Sequence, residues 1–297
     1  MIPIILLYAS LVNDVRGLIA RHDAVAAERA VRAYQAQSGA TPELAAALSW
    51  LARDALAGRR FDRAESYAAE SRKMSLDLLG SRPLDSDAWL PTALGASIEV
   101  QAQALAGQGK RAEAVGFLLE QIQIFASTSI GERIHKNINL LSLEGKPAPA
   151  LATSEWLGPK PLPLAALRGH PVLLFFWAHW CPDCKAMVPI LADIEKTYGP
   201  QGLVLVGPTK RYGYAAGGAP AAPGEEKQYI EQVRQRYYAG LSAMPVPLSG
   251  AGFAAYGAST TPTIVLIDGQ GVVRLYHPGA LTERELTAGI LDLLKKR

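Results

Sequence analysis

Two rhythms of apolar residues divide this chain. From residue 11 to about 142, apolar positions recur at helical spacing almost without a break, Ala dominates, and β-branched runs are absent. One unit recurs within this half. LIARHDAVAAERA (18–30) lies over ALAGRRFDRAESY (55–67), matching Ala20 to Ala57, Ala27 to Ala64 and Glu28 to Glu65, and ALAGQGKRAEAV (104–115) repeats the opening. Each copy reads as a helix end, a short glycine-containing or charged turn, and a second helix whose small residues allow close packing.

The rhythm changes near GKPAPAL (145–151). Pro147, Pro149, Pro159, Pro161, Pro163 and Pro171 exclude a long helix, so this stretch reads as a linker and the entry to a second domain. Four strand-length runs follow: VLLFFW (172–177), LVLV (203–206), IVLI (264–267) and VVRLYH (272–277). The first three are continuously apolar, as strands covered on both faces are. DGQG (268–271) joins the last two as a hairpin turn. Helical stripes separate the strands: Met187, Ile190, Leu191 and Ile194, then Ile230, Val233 and Tyr237. Leu286, Ile290 and Leu293 follow a Thr282–Glu285 capping box. This order predicts a mixed α/β sheet flanked by helices on both faces, with a right-handed crossover placing 172–177 beside 203–206. The expected organisation is an all-α domain of helical hairpins over 13–142, then an α/β domain over 143–297.

Residues 1–12 stand apart. The apolar run from Ile2 to Val12 is shorter than the about 20 residues a membrane span needs. It fits either the core of a secretory signal, with Ala9 and Ser10 near the cleavage point, or the buried side of a first helix. Any membrane contact is confined to this segment.

Composition narrows the function. With 49% hydrophobic and 19% charged residues the chain is globular, and 297 residues allow two cores. A net charge of +3 with no basic cluster beyond Lys295–Arg297 argues against nucleic-acid binding. Two cysteines cannot staple a fold, and a bridge across so short a loop removes little chain entropy. Stability is therefore a poor explanation for a disulfide between them, and the pair is a redox centre, a metal clip or two buried, inert thiols.

Both cysteines fall in HWCPDCKAMVP (179–189). Cys181 follows a buried strand and Trp180 where the next helix must begin, and Pro182 suits the first helical turn. A thiolate there faces free backbone N–H groups and the positive end of the helix dipole, which lowers a cysteine pKa. Cys184 sits one turn later, placed to attack a mixed disulfide at Cys181. Downstream, Thr261–Pro262 directly precedes a central strand. That is an awkward place for proline unless the bond is cis, when the loop would bring the Thr261 backbone beside the sulfurs.

FFWAHWCPDCKAMVP, followed by STTPTIVLID and a final hairpin and helix, resembles the thioredoxin superfamily. The entry GKPAPAL and the inserted segment before the third strand are most similar to its TlpA/ResA-type members, neighbours of the peroxiredoxins. The resemblance covers about residues 143–297. It implies a thioredoxin fold, a dithiol–disulfide active site at Cys181 and Cys184, and a cis-proline at Pro262. The helical repeats resemble tetratricopeptide hairpins, with Phe61 or Tyr67 between helices. One departure matters: where many relatives carry an acidic or amide residue in the first strand, this chain has Phe175. A proton acceptor for Cys184 must come from elsewhere. His179 and Asp183 are candidates, both expected at the solvent rim.

These residues predict an extracytoplasmic thiol–disulfide oxidoreductase exchanging disulfides with protein substrates, with no organic cofactor and no resident metal. An upstream redox partner protein would renew the pair, and the helical domain would dock a partner or form a homodimer. Two other readings use the same residues. One is a Cu(I)-handling protein in which the thiolates act with His179 or His277. The other is a helical scaffold with an incidental redox site. KRYGYAAGGAPAAPGEE (210–226) is expected to be a mobile loop flanking the sulfurs, and Trp180 to wall a substrate groove.

Overall fold

The computed structural model describes residues 10–295. The chain forms two compact units, one ending at Asn137 and the other beginning at Ile138.

The first unit is helical: α1 (Leu11–Ala20), α2 (Ala24–Ser38), α3 (Pro42–Ala57), α4 (Phe61–Leu79), α5 (Leu90–Gly107) and α6 (Arg111–Phe125), with α7 (Gly131–Ser142) running into the second unit. The repeat falls on the turns α1–α2, α3–α4 and α5–α6. Leu11, Val12 and Val15 are buried on α1; residues 1–9, on which most of the secretory-signal reading falls, lie outside the described residues. α3 packs against α1, α4 and α5. Ala45, Ala46, Ala47, Ala52 and Ala55 are buried on it, and such small side chains let helix backbones approach closely. Ser71 donates to the Ala45 carbonyl at 2.8 Å and Ser75 to that of Ser71 at 2.7 Å, so the buried hydroxyls of this interface are satisfied. The Phe61 ring occupies the space beside Gly107, where a Cβ would come within 2.4 Å of it.

The second unit is built on a four-stranded sheet in the order β3-β2-β5-β6, with β2 (Val172–Phe176), β3 (Val204–Val206), β5 (Thr263–Ile267) and β6 (Val273–Pro278). β2 runs parallel to β3 and antiparallel to β5, and β5–β6 is a hairpin. The period of two divides the apolar strand β2 between two cores. Leu173 and Phe175 face a layer with Leu191 and Ile194 of α9 (Val188–Tyr198), Ile230 and Val233 of α10 (Pro223–Tyr237), and Leu286 and Ile290 of α12 (Glu283–Leu294). Val172, Leu174 and Phe176 face Phe253 and Tyr256 of α11 (Gly250–Tyr256). The mixed sheet with helices on both faces is therefore present. In the hairpin turn, Asp268 Oδ1 accepts the Gln270 and Val272 N–H groups, each at 2.9 Å, and Gly271 takes φ +75°. The Thr282–Glu285 capping box closes the start of α12.

Three features differ from the sequence expectation. The strand read as VLLFFW ends at Phe176. Trp177 instead donates its amide to Pro208 O at 3.1 Å and its indole N–H to Gly207 O at 2.9 Å, clamping the loop after β3. GKPAPAL is not a bare linker: Gly145 N bonds Val273 O, Val273 N bonds Lys146 O, and Ala148 N bonds Gly271 O, laying the segment along β6. A two-stranded sheet of β1 (Trp156–Leu157) with β4 (Val246–Pro247) also forms, from strands too short to show periodicity.

Candidate functional site: the Cys181–Cys184 pair

β2 delivers the chain to Ala178, and Cys181 becomes the N-cap of the short helix α8 (Pro182–Ala186). Pro182 occupies the first turn, where its missing N–H removes no bond. Cys181 Sγ accepts the Cys184 N–H at 3.1 Å, and the two sulfurs are joined as a disulfide with Cα atoms 5.3 Å apart. In the reduced pair the same N–H would face a Cys181 thiolate, and hydrogen bonding to the charged form favours it. The Thr261–Pro262 bond is cis, and the Thr261 carbonyl oxygen lies 3.5 Å from Cys181 Sγ. Residues 80 positions apart thus meet at one sulfur. Cys181 is only 2% exposed, while Trp180 beside it is 46% exposed. Lys185 Nζ rests over the Tyr237 ring at 4.6 Å.

The surroundings correct one expectation. Asp183 is exposed as anticipated, but His179 is 1% exposed, enclosed by Tyr212, Tyr214 and Tyr229 with ring centroids at 5.6, 5.5 and 5.4 Å. Apart from a marginal contact with the Tyr214 backbone, its ring nitrogens have no hydrogen-bond partner among the described residues. Burial holds this imidazole below its ordinary range, against the pull of the Glu226 carboxylate. Tyr212 and Tyr214 come from the segment expected to be mobile, and Tyr229 from α10. Glu226, 1% exposed on α10, accepts the Tyr212 N–H at 2.5 Å and the Gly213 N–H at 2.9 Å, so the segment is tied down. Tyr212 in turn meets Trp180 edge to face at 5.5 Å. Phe175 is fully buried against Tyr238, with centroids at 6.5 Å, and offers no proton acceptor.

Sequence reasoning missed Glu226 and the tyrosine cluster. The one available signal was a pair of tyrosines, Tyr212 and Tyr214, just ahead of a run of Ala, Gly and Pro. Among the described residues, no three His, Cys, Asp or Glu side chains gather into a metal-binding group.

A thioredoxin-like domain family model matches residues 160–294. The thiol:disulfide interchange protein DsbE of Yersinia pestis is 35% identical over 157 residues, covering 52% of this chain and 74% of that protein. This chain belongs to the thioredoxin-like thiol–disulfide oxidoreductases. The oxidoreductase ResA of Bacillus subtilis is 30% identical over 142 residues, covering 47% of this chain and 70% of that protein. A crystal structure of a putative DsbE from Chlorobium tepidum is 26% identical and covers 51% of this chain and 97% of that one, with a TM-score of 0.40. The chemistry of this oxidoreductase is thiol–disulfide exchange, and its candidate centre is the bonded cysteine pair at the head of α8.

Proposed function

We propose that this oxidoreductase exchanges disulfides with protein substrates outside the cytoplasm, Cys181 attacking and Cys184 resolving. What supports the assignment is one juxtaposition. Cys181 Sγ meets the Cys184 N–H on one side and the Thr261 carbonyl on the other, beside the exposed Trp180. In the reducing direction the Cys181 thiolate attacks a substrate disulfide, whose S–S bond breaks and whose departing sulfur takes up a proton. Cys184 then loses its proton and attacks Cys181 Sγ. The mixed disulfide breaks, leaving a substrate dithiol and the Cys181–Cys184 disulfide. The reverse sequence oxidises a substrate.

The electron pair resides in the cysteines, so the reaction calls for no organic cofactor; a second redox protein renews the pair. An oxidising compartment is where such a pair would encounter disulfide substrates, which supports the extracytoplasmic location. No helix among the described residues is long and apolar enough to cross a membrane. The helical unit would dock a partner or a second copy.

The test is a Cys184→Ser variant, which should accumulate mixed disulfides with protein substrates on non-reducing gels. Cys181→Ser should accumulate none. Trapping through Cys184 in the Cys181→Ser variant, or no trapping in either, would overturn the assignment. A reduction potential near about −270 mV would mark a reductant and one near about −120 mV an oxidant.

A further inference from the structure

The helical unit contains a cleft of about 500 Å³ between α3 and α5, bordered by α7 and the turn before α4. Three arginines line it, Arg53, Arg59 and Arg133, against a single acidic side chain, Glu99. That carboxylate is already engaged, accepting from Arg133 Nε at 2.5 Å and Lys136 Nζ at 2.8 Å. Arg53 has no ion pair or hydrogen bond among the described residues. Its guanidinium lies 4.4 Å from the Trp50 ring centre, with that of Arg16 also over the ring at 4.8 Å. Burial, with Arg133 and Arg16 nearby, pushes Arg53 down to about 10 against the opposing pull of the Glu99 carboxylate. Glu99, the one carboxylate acting on this half-buried guanidinium, is bonded to Arg133 and Lys136 instead, so cationic groups outnumber it in the cleft, and a planar fork of donors matches a further carboxylate. The rest of the wall is apolar, with Leu56, Phe61 and Val100.

We propose that this cleft binds a carboxylate carrying an apolar group. The carboxylate would sit on Arg53, flanked by Arg133 and Arg59, with the apolar group against Phe61 and Val100. The carboxylate could belong to the C-terminus of a protein chain or to a free organic acid. Its lining residues all belong to the helical unit, and the proposal does not depend on the chemistry of the cysteine pair.

Calorimetric titration of the full-length protein tests it with three probes: N-acetyl-Ala-Ala-Leu as free acid, the same peptide as C-terminal amide, and hexanoate. The free acid or hexanoate should bind below about 10 mM, with the amide at least about tenfold weaker than the peptide acid, as loss of a charged hydrogen bond requires. A peptide acid tighter than hexanoate identifies a chain terminus as the source; hexanoate equal or tighter identifies a small organic acid. Arg53→Gln should weaken binding about tenfold or more, and so should the solvent-exposed Arg59→Ala, whose fold is at little risk. Circular dichroism of both variants would verify their helical content. Equal binding of acid and amide, no acid binding at about 10 mM, or unchanged binding in both folded variants would overturn the proposal.

Discussion

Replacing Glu226 with alanine tests how the wall beside Trp180 is held. Its carboxylate accepts two backbone N–H groups, from Tyr212 at 2.5 Å and Gly213 at 2.9 Å, and is 1% exposed. A hydrogen bond to a charged group contributes about 1.5–3 kcal/mol, so two set an upper bound of about 3–6 kcal/mol. Two effects reduce that figure. The variant no longer buries a charge, and the freed N–H of Gly213, an exposed residue, can reach water. A loss of about 2–3 kcal/mol remains, equivalent to a fall of about 4–12 °C in the melting temperature of a unit this size. Glu226→Gln, which keeps one acceptor, should lose about half as much. Denaturant unfolding followed by near-ultraviolet circular dichroism, with its tyrosine and tryptophan signals, gives both values. A kinetic split should accompany the loss. Reduction of the pair by a small dithiol should be unchanged, while KM for a protein substrate rises as the Tyr212 wall loosens. A Glu226→Ala loss below about 0.5 kcal/mol, or a larger loss in Glu226→Gln than in Glu226→Ala, would refute this account.

Trp180→Ala should leave stability within about 1 kcal/mol while raising KM for a protein substrate; equal KM values in steady-state assays would remove Trp180 from the substrate surface. His179 is folded with its pKa lowered by burial, whereas the unfolded chain takes up this proton near about pH 6.5. Its contribution is therefore complete above that value and is lost as pH falls through the folded pKa. His179→Phe should flatten the stability–pH curve below about pH 6.5, leaving the slope contributed by His135, which burial also lowers. An unchanged slope in urea titrations would contradict the burial of His179. Gly107→Ala places a Cβ 2.4 Å from the Phe61 ring, and overpacking of this kind costs about 1–3 kcal/mol, partly offset by the better helix propensity of alanine. Adding Phe61→Leu should recover part of the loss, and strict additivity of the two changes would show that they do not touch.

The strands observed at 172–176, 204–206, 263–267 and 273–278 were legible to within a residue at each end because short apolar runs and turn chemistry act over a few neighbours. Asp268 forms its own turn, and Thr282 with Glu285 starts its own helix. Cys181 and Cys184 were legible for the same reason: a strand end, a proline and a helix start fix their spacing locally. The placement of His179 was not. Its neighbours give no rule, since Ala178 and Cys181 are buried while Trp180 and Asp183 are exposed, and its enclosure is set by Tyr212, Tyr214 and Tyr229, more than 30 positions away.

The sequence by itself therefore determined the main strands and helices and a cysteine pair at a helix mouth, and it suggested a two-part organisation. Tertiary structure alone decided that the segment after β3 folds back onto the site, that Glu226 is buried beneath it, and that Arg53, Arg59 and Arg133 converge on one cleft. The physical reason is range. Hydrogen bonds and side-chain periodicity within an element depend on residues about four apart, whereas burial and electrostatic environment depend on whichever distant segment comes to pack there.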